Sequence, residues 1–134
     1  MITLILGRKG SGKTKKLMAM CNAAIEQSNG NVVFIEKDNT LTYDISHKAR
    51  LVAAEDYAIQ GFDALYGYIA GMCAGNYDIT DIFVDSVLKI GGQDTAALVP
   101  FVEKLTKLDA NIVMSISADK AEIPAELEKL AQEI

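Results

Sequence analysis

The sequence predicts an α/β fold of three layers, with helices on both faces of a mostly parallel central sheet. Three observations carry that expectation. Short β-branched or apolar runs, "ITLIL", "NVVFIE", "DIFVDS" and "NIVMSIS", recur along the chain. The segments between them place apolar residues at helical spacing. The runs are apolar along most of their length instead of alternating, as in strands buried on both faces. Strands that alternate with helices become parallel neighbours, because each crossover carries the chain back to the same end of the sheet.

Each element follows from local signals. Residues 2–6 form the first strand, ended by Gly7. From Lys13 to about Ser28, the residues Leu17, Met20, Cys21, Ala24 and Ile25 share one helical face, and Asn29-Gly30 stops the helix. Residues 31–36 are β-branched and aromatic, hence a second strand, and "EKDNT" is a polar turn. Residues 41–56 fit two short strands, or one strand and a loop. A helix is expected from around Asp56 to Gly75, with Phe62, Leu65, Tyr66, Ile69 and Met72 inward. Its Gly67 and Gly71 have the spacing of close helix packing. Residues 81–86 make a third clear strand, and "KIGGQD" reads as a flexible link. A helix from about Thr95 turns Leu98, Phe101, Val102, Leu105 and Leu108 inward. Residues 111–117 are another strand. A last helix is expected from Pro124, a favoured first-turn residue, burying Leu127, Leu130 and Ile134.

Composition narrows the class. The 134 residues fit a single domain over 1–134, and 50% apolar content is enough for a core. A net charge of −5 argues against broad nucleic-acid binding, so nucleic acid is not indicated as a partner. Cys21 and Cys73 lie far apart among apolar residues, as two reduced, buried thiols of a cytoplasmic protein would. No secretory signal is expected at the start. Residues 57–75 are apolar but interrupted by Gln60 and Asp63, so no membrane span is expected.

The chemistry concentrates in residues 7–14, "GRKGSGKT", which fit Gly-x-x-x-x-Gly-Lys-[Ser/Thr] between an apolar strand and an amphipathic helix. Gly7, Gly10 and Gly12 allow backbone angles that let successive N–H groups curl around an anion. Arg8, Lys9 and Ser11 complete the loop. The helix that starts at Lys13 points its positive end at the same place. Lys13 reaches β- and γ-phosphates, and the Thr14 hydroxyl is placed for Mg²⁺. A second Mg²⁺ contact is expected from an acid at the end of another buried strand, and Asp85 ends "IFVD".

With these residues the chain resembles P-loop NTPases of the RecA-like (ASCE) type, residues 7–14 matching Walker A and 82–85 matching Walker B. It is also similar to small uncharacterised bacterial ATP-binding proteins, some labelled PilT-like. It lacks the amino-terminal domain and histidine-rich box of pilus retraction motors, so no motor function is expected. The resemblance implies ATP and Mg²⁺ as cofactors. It implies a water-activating acid at the end of the strand after the first helix, where Glu36 and Asp38 are both candidates. Asp38 lies 25 residues after Lys13 (38 − 13), near the family spacing. Lys13, Asp38 and Glu36 are therefore the candidate catalytic residues. A polar γ-phosphate reader on a later strand falls at Ser115 or Ser117, with a structural role the readier account of a serine there. An arginine from a neighbouring subunit completes many such sites. This chain holds only Arg8, inside the loop, and Arg50.

The function expected is a Mg²⁺-dependent ATPase whose hydrolysis is weak or stimulated by a partner. A homo-oligomer or protein partner would supply the missing arginine. A nucleoside-like small-molecule kinase is an alternative, with an acceptor pocket over residues 43–57. His47, beside Lys48 and Arg50, reads as a surface residue rather than a base. A non-hydrolysing switch, ordering residues 37–40 or 90–94 around a γ-phosphate, is another alternative. GTP is not expected, because no Asn-Lys-x-Asp motif occurs.

Overall fold

The computed structural model describes residues 1–39 and 45–134. Along the chain run β1 (Ile2–Gly7), α1 (Lys13–Gln27), β2 (Asn31–Glu36), β3 (Arg50–Ala53) and α2 (Phe62–Gly75). They are followed by β4 (Ile79–Val84), α3 (Val87–Gly91), α4 (Leu98–Leu105), β5 (Asn111–Ser117) and β6 (Ala131–Glu133). Among the described residues, six strands form one sheet in the order β3-β2-β4-β5-β1-β6, every neighbour parallel.

Strand alternation sorts the core into two clusters. Ile5, Phe34, Phe83 and Val113 share one face and pack with Leu17 and Cys21 of α1. Leu4, Val33, Ile35, Val84, Ile112 and Met114 belong to the other, against Leu65 and Ile69 of α2, Val87 and Ile90 of α3, and Leu98 and Phe101 of α4. The three-layer α/β/α arrangement expected from the sequence is therefore present; among the described residues, one α-helix covers the first face and three the second.

The differences from expectation have local causes. The helix expected from Asp56 begins at Phe62. Ala54–Tyr57 is a 3₁₀ turn, and positive φ at Ala58 (55°) and Gly61 (95°) breaks the chain before α2. Gly67 and Gly71 do not serve close packing, because both are exposed and a Cβ on either would meet open space. The third clear strand is β4, which ends at Val84, and part of the "flexible link" is α3. It is anchored by buried Val87, Leu88 and Ile90, and its Gly91 sits against the Phe62 ring, leaving no room for a Cβ. The last helix is a 3₁₀ segment, Ala125–Leu130, leading into β6. Leu127 is buried as expected, but Ile134 is 50% exposed, its N–H donating to the Leu6 carbonyl at 2.9 Å. Of the two arrangements that fit residues 41–56, a strand stands at Arg50–Ala53 and a 3₁₀ turn at Ala54–Tyr57, while residues 41–44 lie outside the described residues.

Neither cysteine is paired; Cys21 is buried and Cys73 half-buried. Burial, aided by Asp81, pushes the Cys21 thiol up to about 11. Burial raises Cys73 too. Among the described residues no helix is long and apolar enough to cross a membrane.

Two glycines give opposite expectations. A Cβ on Gly30 would strike the Asp78 carbonyl and the Thr80 side chain, so Gly30→Ala is expected to lose about 1–3 kcal/mol in urea unfolding. Gly67→Ala, in an open helix interior, is expected to gain about 0.5–1 kcal/mol. Equal stability of the two variants would contradict these placements.

Candidate functional site

After β1 the chain must turn over the end of the sheet to begin α1. Gly10 (φ 85°) and Gly12 (φ 95°) make that turn in left-handed conformations, which cost a side-chain-bearing residue about 1–2 kcal/mol. Gly7 is needed for space, since a Cβ there would run into Ser11 and Lys13. The Ser11 N–H closes the loop on the Arg8 carbonyl at 3.0 Å.

The entry to α1 collects positive charge. Its N-cap is Gly12, with no side-chain cap and no acid in the first turn. Lys13, Lys15 and Lys16 occupy that turn instead. Amides of a first turn have no partners within their own helix, and the positive end of the dipole disfavours cations there. Lys13 is nevertheless only 6% exposed. Its Nζ donates to the Arg8 carbonyl at 3.2 Å, using one of an ammonium's three donors. Burial lowers its pKa, nearby Asp85 opposes that shift, and Lys89 adds to it. The Ser11 hydroxyl is buried and has no hydrogen-bond partner among the described residues.

Beneath this entry, alternation continues from the α1-facing core into polar residues. Two residues beyond Phe34 stands Glu36; two beyond Phe83, Asp85; two beyond Val113, Ser115. The register pairs Ile35 with Val84 and Val84 with Met114, so these three lie side by side on adjacent strands. All three are buried, Glu36 at 3% exposure, Asp85 at 8% and Ser115 at 0%. The Asp85 N–H is fixed to the Ile35 carbonyl at 2.8 Å. The Thr14 hydroxyl lies 3.1 Å from both Asp85 oxygens, joining α1 to the end of β4 across β5. That each of the three faces α1 was readable from period-two alternation, but not that they are neighbours, which rests on the strand order. Counting residues from Lys13 points instead to Asp38, which is exposed beyond the strand end.

Other predicted residues go elsewhere. The Arg8 guanidinium donates to Asp119, with Glu122 at 3.6 Å, so its side chain turns outward to the segment after β5. Lys9 is exposed. Ser115 is buried within the sheet and so is not at a strand end, while Ser117 is exposed at the end of β5. Arg50 opens β3 in register with Val33, three residues short of Glu36, or roughly 10 Å along the strand. His47 is exposed. The expected acceptor pocket over residues 43–57 falls partly outside the described residues. A cavity of about 880 Å³ is lined by His47, Lys48 and Arg50, but also by Asn31 and Ile79, the first residues of β2 and β4. It thus opens at the opposite end of the sheet from the loop. Of the switch segments, 37–40 runs out of the described residues after Asn39, and 90–94 begins at buried Ile90.

Two solved structures share this architecture. The flagellar accessory protein FlaH from Methanocaldococcus jannaschii matches with a TM-score of 0.60 and 15% identity, over 96% of this chain and 65% of that one. Domain III of the Thermotoga maritima replication initiation protein DnaA matches with a TM-score of 0.55 and 15% identity, over 99% and 54%. This chain spans less than two thirds of either. The fold is that of P-loop NTPases. No protein-family profile matches the chain, and no curated protein does.

Ser86, directly after Asp85, holds a left-handed conformation (φ 54°, ψ 58°). Ser86→Gly is expected to gain about 0.5–1 kcal/mol, and Ser86→Val to lose about 1–3 kcal/mol, in urea unfolding. Equal stability of the two variants would contradict the left-handed turn.

Proposed function

We infer that the chain binds ATP with Mg²⁺ through residues 7–14 and hydrolyses it weakly, or when a partner stimulates it. The observation that carries this reading is the entry to α1. A buried lysine, two further lysines, uncapped first-turn amides and an unpartnered hydroxyl converge there with no acid in the turn. For folding alone that arrangement is unfavourable, and a polyphosphate reverses its sign.

In this reading Gly7, Arg8, Lys9, Gly10, Ser11 and Gly12 line the phosphates with backbone N–H groups, and Ser11 adds its hydroxyl. Lys13 turns its ammonium from the Arg8 carbonyl to phosphate oxygens. Thr14 and Asp85 would hold Mg²⁺, whose contribution is to neutralise charge on the phosphate oxygens. The donor set fits that ion. Among the described residues no cluster of three or more His, Cys, Asp or Glu offers a metal cage. Mg²⁺ instead binds through one or two carboxylates together with phosphates and waters.

Glu36 is the better-supported base, because it stands beside Asp85 in the row under α1, whereas Asp38 is exposed beyond it. Glu36 would accept a proton from water as its oxygen attacks the γ-phosphorus, the bond to the β–γ bridging oxygen breaks, and ADP leaves. Weak activity alone follows from the cation supply. Arg8 is engaged by Asp119 and Glu122, and Arg50 opens its strand away from the loop. A second copy or another cytoplasmic protein supplying an arginine would complete the site. The kinase alternative gains nothing from the cavity at the far end of the sheet.

Titration calorimetry with Mg²⁺ and ATP tests the reading. Lys13→Ala is expected to weaken binding by about 10- to 100-fold, as when hydrogen bonds to a charged group are lost. Unchanged affinity in that variant would contradict the placement of the site.

A further inference from the structure

Ser115 is polar, fully buried and in the middle of the sheet. It stands on β5, between the strand that feeds the loop and the strand that ends at Asp85. Its register partner is Ile5, and the residue two before it on the same face is Val113; both are core residues of the α1 side. An alanine or valine would suit such surroundings, since a hydroxyl buried there must find hydrogen bonds to offset its desolvation. Ser115 finds them on one neighbour strand's end. Its hydroxyl donates to Asp85 Oδ1 at 2.8 Å and accepts the Ser86 backbone N–H at 2.7 Å.

Both contacts act on the same short stretch. The Ser86 N–H points at Ser115 because the chain bends there into a left-handed conformation, a costly choice for a residue with a side chain. Such backbone persists where its surroundings over-determine it. Asp85 is held from two sides: Ser115 occupies Oδ1, and the Thr14 hydroxyl lies between Oδ1 and Oδ2. The carboxylate cannot rotate without giving up one of these contacts. A carboxylate oxygen accepts more than one bond, so acceptor capacity remains, most of it on Oδ2.

Resting on the nucleotide reading above, we propose that Ser115 is a positioning residue for Asp85. It locks the carboxylate and the bend at Ser86 in the orientation that receives the divalent ion, and it does not read the γ-phosphate. A γ-phosphate reader needs a hydroxyl that faces the ligand, whereas Ser115 has no exposed surface and its proton is committed to Asp85. Ser117, two residues further on the same face, is exposed.

The test compares wild type, Ser115→Ala, Ser115→Cys and Ser117→Ala in the full chain. ATP affinity is measured by calorimetry with excess Mg²⁺ and again with EDTA, and Ser86 amide exchange is followed by NMR without nucleotide. Ser115→Ala is expected to keep its affinity in EDTA within about twofold and to lose about tenfold of the Mg²⁺-dependent enhancement, with faster Ser86 exchange. Ser115→Cys, with a weaker donor, falls between wild type and alanine, and keeps the test open should the alanine variant not fold. Ser117→Ala leaves the enhancement unchanged. A wild-type enhancement in both Ser115 variants, or equal losses with and without Mg²⁺, would overturn the proposal while leaving the nucleotide reading intact. Wild type that binds no ATP in either buffer would overturn that reading, and this proposal with it.

Discussion

The contact between the Thr14 hydroxyl and the two oxygens of Asp85 ties the carboxyl end of the sheet together. It joins residues 71 positions apart, and β5 lies between the strand that leads into α1 and the strand that ends at Asp85. Because α1 is tethered there, its uncapped amino end sits over the row of Glu36, Asp85 and Ser115 instead of opening to solvent. The loop before it is then confined, and Gly10 and Gly12 close it in left-handed conformations. Packing of Leu17 and Cys21 on Phe34 and Phe83 fixes the rest of the helix at the correct height.

The end of the sheet carries opposed charges in a fixed order. Lysines gather at the helix entry, where the dipole disfavours them, and carboxylates stand one layer below. Asp85 raises the Lys13 pKa while burial lowers it, so the acid partly restores the charge that desolvation weakens. Arg8 is spent outward on Asp119 and Glu122, whose own capping box fixes the segment after β5. The loop is thereby linked by ion pairs to the segment that follows the strand bearing Ser115. These pairs are exposed and worth little as stability. Their effect is on where the guanidinium points.

Much of this was legible in the sequence. The strands β1, β2 and β5 and the helix α1 announce themselves by unbroken period and by clear stops at Gly7 and Gly30. The eight-residue loop could be read from its glycines, and Asp85 from its place at the end of an apolar run. Other features escaped for physical reasons. Leu127, Leu130 and Ile134 share a helical spacing, yet edge pairing with β1 drew the last residues into a strand. The start of α2 was hidden because an alanine, Ala58, takes a left-handed angle that composition does not announce. Short α3 was masked by Gly91-Gly92, although Val87, Leu88 and Ile90 were there to be read. The strand order is the deeper omission. Only with β4 known to lie between β2 and β5 does Asp85 become the neighbour of both Ser115 and Glu36, which makes Glu36 a better-placed acid than Asp38.

The central claim is that the bend between β1 and α1 grips a triphosphate, with a divalent ion at Thr14 and Asp85. A crystal structure with a non-hydrolysable ATP analogue and Mg²⁺ tests it most directly. The account predicts phosphate oxygens on the amides of Gly10, Gly12 and Lys13, the Lys13 ammonium moved from the Arg8 carbonyl to phosphate, and the ion at the Thr14 hydroxyl. An analogue bound elsewhere on the sheet, with Lys13 still on Arg8, would contradict it.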